Sequence, residues 1–100
     1  MDDAKRQQTL RGLVEHHRDA ERRGMGSAAT ATEPRWESKE KVALARYEGT
    51  DPEARHRFAT LIAVAERGAW AFFLEANDNS TAESFQKRAD ALFQTVRVGP

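Results

Sequence analysis

The feature that most constrains this chain is a long apolar stretch between Asp51 and Asn77, broken only by scattered charges. Placed at about 100° per residue, Ala54, Phe58, Leu61, Ile62, Ala65, Ala69, Phe72, Phe73 and Ala76 fall within about 120° of one another, the width of a core-facing helical stripe. Thr50-Asp51-Pro52-Glu53 supplies a start signal, either as a Thr-x-x-Glu capping box or as an Asp cap with proline at the first helical position. The spacing predicts a long helix over residues 51–77, the spine of an all-α fold.

The remaining segments are read around that spine. Residues 3–23 predict a first helix, on which Leu10, Leu13, Val14 and His17 form a narrow stripe in an otherwise charged segment. Glycines and small residues follow, and Pro34 marks a fresh start, so 24–34 reads as a flexible linker. A second helix is expected from about Glu33 or Trp36 to Glu48, with Gly49 at its C-terminal end and Trp36, Ala43, Leu44 and Tyr47 on one face beside Glu40. Asn77-Asp78-Asn79 reads as a turn, and Ser80-Thr81-Ala82-Glu83 as a capping box opening a fourth helix lined by Ala82, Phe85, Ala89, Leu92, Phe93 and Val96. The expectation is a single domain over 1–100: a bundle of about four helices, with helices 2–4 antiparallel around the third and the first less firmly attached.

Composition narrows the function. Seventeen of the apolar residues are alanines, which favour helix but bury little area, so a compact core is expected. Sixteen basic and sixteen acidic residues cancel, which argues against a chain-wide field for polyanions. Twelve arginines against four lysines, with the alanine excess, suggest a GC-rich bacterial or phage genome. The absence of cysteine removes disulfides, a thiolate nucleophile and cysteine-ligated metal. No apolar run reaches the ~18 residues of a membrane span, so no membrane association is expected and the cytoplasm is the expected compartment. Asn79-Ser80-Thr81 is then loop chemistry and not a glycosylation site.

A catalytic constellation does not assemble from the sequence. His16 and His17 are adjacent and so point about 100° apart on a helix. Glu53-Ala54-Arg55-His56 is a single E-x-x-H, whereas a two-metal carboxylate site needs two such motifs and two further glutamates. Gly24-Met25-Gly26 lacks the rest of a phosphate-binding loop. No catalytic residue, metal ligand or cofactor site is therefore assigned, and the expected protein is not an enzyme.

What the sequence does offer is surface. Ala59, Ala63, Trp70 and Leu74 form a second apolar strip on the expected long helix, flanked by Glu66 and Arg67. Its occupant is either the first helix, through Leu10, Leu13 and Val14, a second copy in a homodimer, or a partner. The resulting expectation is a protein-binding module that sterically occupies a larger protein or nucleoprotein complex. A phage or mobile-element inhibitor of a host defence complex is one such setting. Trp70, Arg67, Leu74 and Trp36 form the expected anchor patch, with Glu33 and Glu37 as acidic groups facing basic partner residues. The alternative is a small DNA-binding or accessory regulator that tracks phosphates with Arg11, Arg18, Arg22 and Arg23 of the first helix. A helix-turn-helix reading through Arg55, His56 and Arg57 is weaker, because Asp51 and Glu53 would repel phosphate there.

Overall fold

The structure, a computed structural model, describes residues 2–23, 30–39, 41–51, 56–76 and 81–98. Its elements run α1 (Asp3–Arg23), β1 (Thr30–Ala31), β2 (Arg35–Lys39), β3 (Val42–Asp51), β4 (His56–Ala65), β5 (Gly68–Ala76) and α2 (Ala82–Gln94). The all-α expectation is therefore wrong: a five-stranded antiparallel sheet replaces the second and third predicted helices. β1 and β2 lie one after the other along one side of β3, and β4 and β5 continue the sheet from its other side.

The run from 51 to 77 misleads because it folds back on itself. Glu66 and Arg67 make a two-residue turn, so Ala65 faces Gly68, Ala63 faces Trp70 and Ala59 faces Leu74 across a hairpin. β4 is the central strand and is buried on both faces from Phe58 to Ala65, so period-two alternation vanishes from its sequence. A continuous apolar run of this kind reads equally as buried strand or buried helix. The helical stripe assigned to it is split by the sheet: Phe58 and Ile62 belong to the core on one face, Leu61 and Phe72 to the core on the other.

β3 does carry the strand period. Ala43, Ala45, Tyr47 and Gly49 are buried, while Leu44, Arg46, Glu48 and Thr50 between them are only partly so. The buried set points toward α1, where it joins Phe58, Ile62 and Val64 from β4 and Leu10 and Val14 from the helix. The intervening set points toward α2, where Phe85, Ala89 and Phe93 meet Ala59 and Leu61. Each helix thus covers one face of the sheet. α1 spans the residues predicted for the first helix, and Asp2 Oδ1 accepts the Lys5 backbone N–H at its start, 2.8 Å away. It is not the loosely attached element expected, since Leu10 is completely buried against the sheet.

α2 begins one residue later than the predicted box implies. Thr81 is its cap and accepts the Ser84 N–H at 3.0 Å; Ser80 and the Asn77-Asp78-Asn79 turn lie outside the described residues. So do Pro52 and Glu53 of the first predicted capping box, whose Thr50 and Asp51 are the end of β3, and so does Glu40. Residues 24–29 of the expected linker are likewise outside, and Thr30–Ala31 form β1.

Gly49, expected at a helix end, is instead an interior strand position where backbone and ring come close. A Cβ there would clash with the Cε1 and Cζ carbons of the Phe58 ring and fall 2.7 Å from the Thr30 carbonyl oxygen. Phe58 in turn meets Tyr47 edge-to-face, with centroids 6.2 Å apart. Gly49 is therefore what lets β1 and Phe58 close on β3 together.

Two stability measurements follow. Leu10→Ala should lower the unfolding free energy by about 2–5 kcal/mol, with helix and aromatic signals still lost in one transition. A sheet transition unmoved by this change would mean that α1 is peripheral. Gly49→Ala should lower the urea midpoint, at a cost of about 1–3 kcal/mol, and should cost less in a Phe58→Leu background because the smaller side chain can yield. Equal costs in both backgrounds would contradict the steric account.

Candidate functional site

The two long borders of the sheet differ in chemistry. On one side runs β2, Arg-Trp-Glu-Ser-Lys, preceded by Pro34 and exposed along its whole length. Charged side chains and a proline are the usual protection of a sheet edge against adding another strand. On the other side runs β5, Gly-Ala-Trp-Ala-Phe-Phe-Leu-Glu-Ala, with Glu75 its only charge. Among the described residues, no strand pairs with its outer edge. Two of its large side chains remain open, one on each face: Trp70 is 42% exposed on the α2 side and Phe73 is 49% exposed on the α1 side, whereas Phe72 and Leu74 pack partly against the α2 core. Phe73 has one ring neighbour, His17 of α1, at 5.9 Å between centroids.

The structure keeps part of the expected anchor patch and breaks the rest. Trp70 and Leu74 share a face of β5, and Arg67 lies in the turn just before it. Ala59 and Ala63 join them as expected, but through cross-strand pairing and not through helical period. Trp36 is elsewhere. It sits on β2 opposite Ala45, on the α1 face, with two strands and about 14 Å of sheet between its strand and that of Trp70. Glu37 is exposed on β2, and Glu33 is exposed before it, 3.5 Å from Arg18. The first helix does not cover the Trp70 strip, because Leu10, Leu13 and Val14 pack on the opposite face. Of the candidate phosphate contacts, Arg11, Arg22 and Arg23 are exposed. Arg18 is engaged instead, donating to the Ala31 carbonyl at 3.1 Å.

Two polar clusters have no counterpart among the sequence-derived candidates. On the α2 face Arg46 reaches Glu48 at 2.8 Å and Asp90 at 2.6 Å, with its guanidinium 5.0 Å from the Phe93 ring centroid. Arg35 and Gln86 also reach Glu48. This network clamps α2 to β3. It forms one wall of a groove of about 1010 Å³ shared with Glu37, Lys39 and Leu44. Arg46 and Glu48, two apart on one strand, were open to a period-two reading; Asp90 was not.

The second cluster lies beneath the C-terminal end of α1. The Thr60 hydroxyl donates to Glu21 Oε1 at 3.0 Å, and the buried Tyr47 hydroxyl lies beside both without reaching hydrogen-bonding geometry. Burial raises the Glu21 carboxyl above its ordinary value, the Thr60 bond partly offsets this, and the nearby charge of Glu75 adds to the rise. Burial and the neighbouring Glu21 likewise push the Tyr47 phenol up, so it stays neutral at physiological pH. No sequence spacing announces a contact between positions 21, 47 and 60. Neither this cluster nor the described histidines gather into a metal-holding set of three or more His, Asp or Glu among the described residues.

No helix among the described residues is long and apolar enough to cross a membrane. No protein-family model, curated protein or solved structure matches the chain.

The raised Glu21 carboxyl carries a pH dependence. A folded state that prefers the protonated acid is stabilised fully below the unfolded carboxyl value and loses that contribution as pH rises through the raised folded value. Urea midpoints should therefore fall across the mildly acidic range toward neutrality. Glu21→Gln should flatten that slope and raise the midpoint at pH 7. An unchanged slope in the variant would assign the pH dependence to other groups.

Proposed function

We propose that this chain is a non-enzymatic protein-binding module that takes up an extended segment along the open edge of β5. The observation that supports it most is the contrast between the two borders. A nine-residue apolar edge strand with a single charge has no strand on its outer edge among the described residues, while the opposite border is charged and preceded by proline. An added strand would gain main-chain hydrogen bonds from the edge and specificity from alternate side chains, Trp70, Phe72 and Leu74 on one face and Phe73 on the other. Trp70 and Phe73 serve as aromatic anchors in this reading, and Arg67 stands at the rim.

The phosphate-tracking alternative has less support. Arg18 is held by Ala31 and Glu33, which leaves Arg11, Arg22 and Arg23 on a helix that also exposes Glu15 and Asp19.

Capture on an affinity-tagged chain tests the choice, offering a nuclease-treated bacterial lysate and a differently tagged second copy. Trp70→Lys/Phe73→Lys changes two exposed side chains and should leave the fold intact by circular dichroism. Capture that survives nuclease and drops at least tenfold in this variant is the expected result. Capture abolished by nuclease and indifferent to the variant would favour nucleic acid and defeat the strand-acceptor reading.

A further inference from the structure

The identity of the accepted strand can be argued from β5 itself, and this argument rests on reading β5 as a strand acceptor. Two copies joined antiparallel at this edge are related by a two-fold axis perpendicular to the sheet, which keeps both α1 helices on one side and both α2 helices on the other. Directly opposed side chains share a face, so every pair of opposed positions must have like parity and one residue must sit on the axis. Only a few registers meet that condition.

With Ala71 on the axis, the pairs on the α1 face are Ala69 with Phe73 and Ala71 with its own copy, and Arg67, in the turn just before β5, comes opposite Glu75 at the end of the strand. On the α2 face they are Gly68 with Leu74 and Trp70 with Phe72. The most exposed ring, Phe73, then meets an alanine, and Trp70 meets another aromatic. The only charge of β5 meets the cation of the preceding turn, and symmetry makes this pair occur twice. No ion pair among the described residues engages Arg67 or Glu75 within one copy. Moving the axis to Phe72 sets Glu75 against Ala69. Moving it to Trp70 sets Glu75 against Ala65 and Glu66 against Leu74. Both shifts lose the charge match.

We propose that a second copy of this chain occupies the edge, merging the two sheets through β5 with Ala71 on the two-fold axis and reciprocal Arg67–Glu75 pairs at its ends. The partner is recognised by self-complementarity: Gly68 and Ala69 receive Leu74 and Phe73, Trp70 meets Phe72, and the charge at one end receives its opposite.

Two measurements on the full chain test this. Sedimentation over the micromolar range should show a dimer. Arg67→Glu alone and Glu75→Arg alone should each weaken it on the order of tenfold, because both pairs become repulsive, and Arg67→Glu/Glu75→Arg should restore it. Both positions are exposed, so the fold should tolerate the changes. The chain has no cysteine, so Ala71→Cys carries one thiol that should cross-link rapidly to its copy on oxidation, whereas Ala69→Cys, opposed to Phe73, should not. A monomer throughout the range would overturn the proposal. So would a dimer indifferent to the charge exchange, or cross-linking at position 69 and not at 71. A monomer that still captures other proteins through Trp70 and Phe73 would remove the second copy as occupant while leaving the strand-acceptor reading intact. Loss of capture as well would remove both.

Discussion

The double burial of β4 is the constraint on which the rest of the structure depends. Its residues from Phe58 to Ala65 leave water on both faces, and its backbone is paired on both sides by β3 and β5. Such a strand cannot stand at an edge, and it cannot have a bare face. Both helices are consequences. α1 supplies Leu10 and Val14 to one face, and α2 supplies Phe85, Ala89 and Phe93 to the other. Ala59 keeps the surface of β4 beneath α2 thin, so a short helix with three buried side chains can lie across it, while Ala63 and Ala65 pack with Val42, Leu44 and Val98. Each helix carries only a narrow apolar stripe, and a narrow stripe suffices when the sheet beneath supplies most of the core.

Covering β4 fully leaves β5 exposed. α1 lies over β3 and β4, and α2 lies over β4 and reaches Phe72, Leu74 and Ala76 of β5, while the last strand keeps Trp70 and Phe73 partly in water on opposite faces. The charged border at β2 shows the same sheet with its other edge protected, so exposure of the β5 edge is not a general property of the fold.

The interior also contains a polar feature that apolar packing does not require. Glu21, Tyr47 and Thr60 place a carboxyl and two hydroxyls between α1 and the sheet, with only one hydrogen bond among them at good geometry. Burial there favours the neutral acid over the ionised one. The cluster sits on the same face as Phe73 and Glu75, and His17 bridges from the helix to Phe73. α1 and the surroundings of Phe73 are therefore in direct contact.

Local chemistry determined by itself the span of α1 and, to within one residue, the threonine-capped start of α2. Caps and narrow stripes act within a few residues, so they are legible without a fold. The same local logic failed between Trp36 and Ala76. β3 carried a period of two that could have been read in Ala43, Ala45 and Tyr47. β4 carried no period that separates strand from helix, because both its faces are buried. Ala59, Ala63, Trp70 and Leu74 satisfied a helical wheel and a hairpin equally, since a turn at Glu66–Arg67 brings them together as well as a spiral does. Only the tertiary structure decided which strand became central and which was left at the edge. It separated Trp36 from Trp70, drew Arg18 away from any phosphate surface and brought Glu21 to Thr60. These are contacts between distant positions, and strand order, which no local preference encodes, is what sets them.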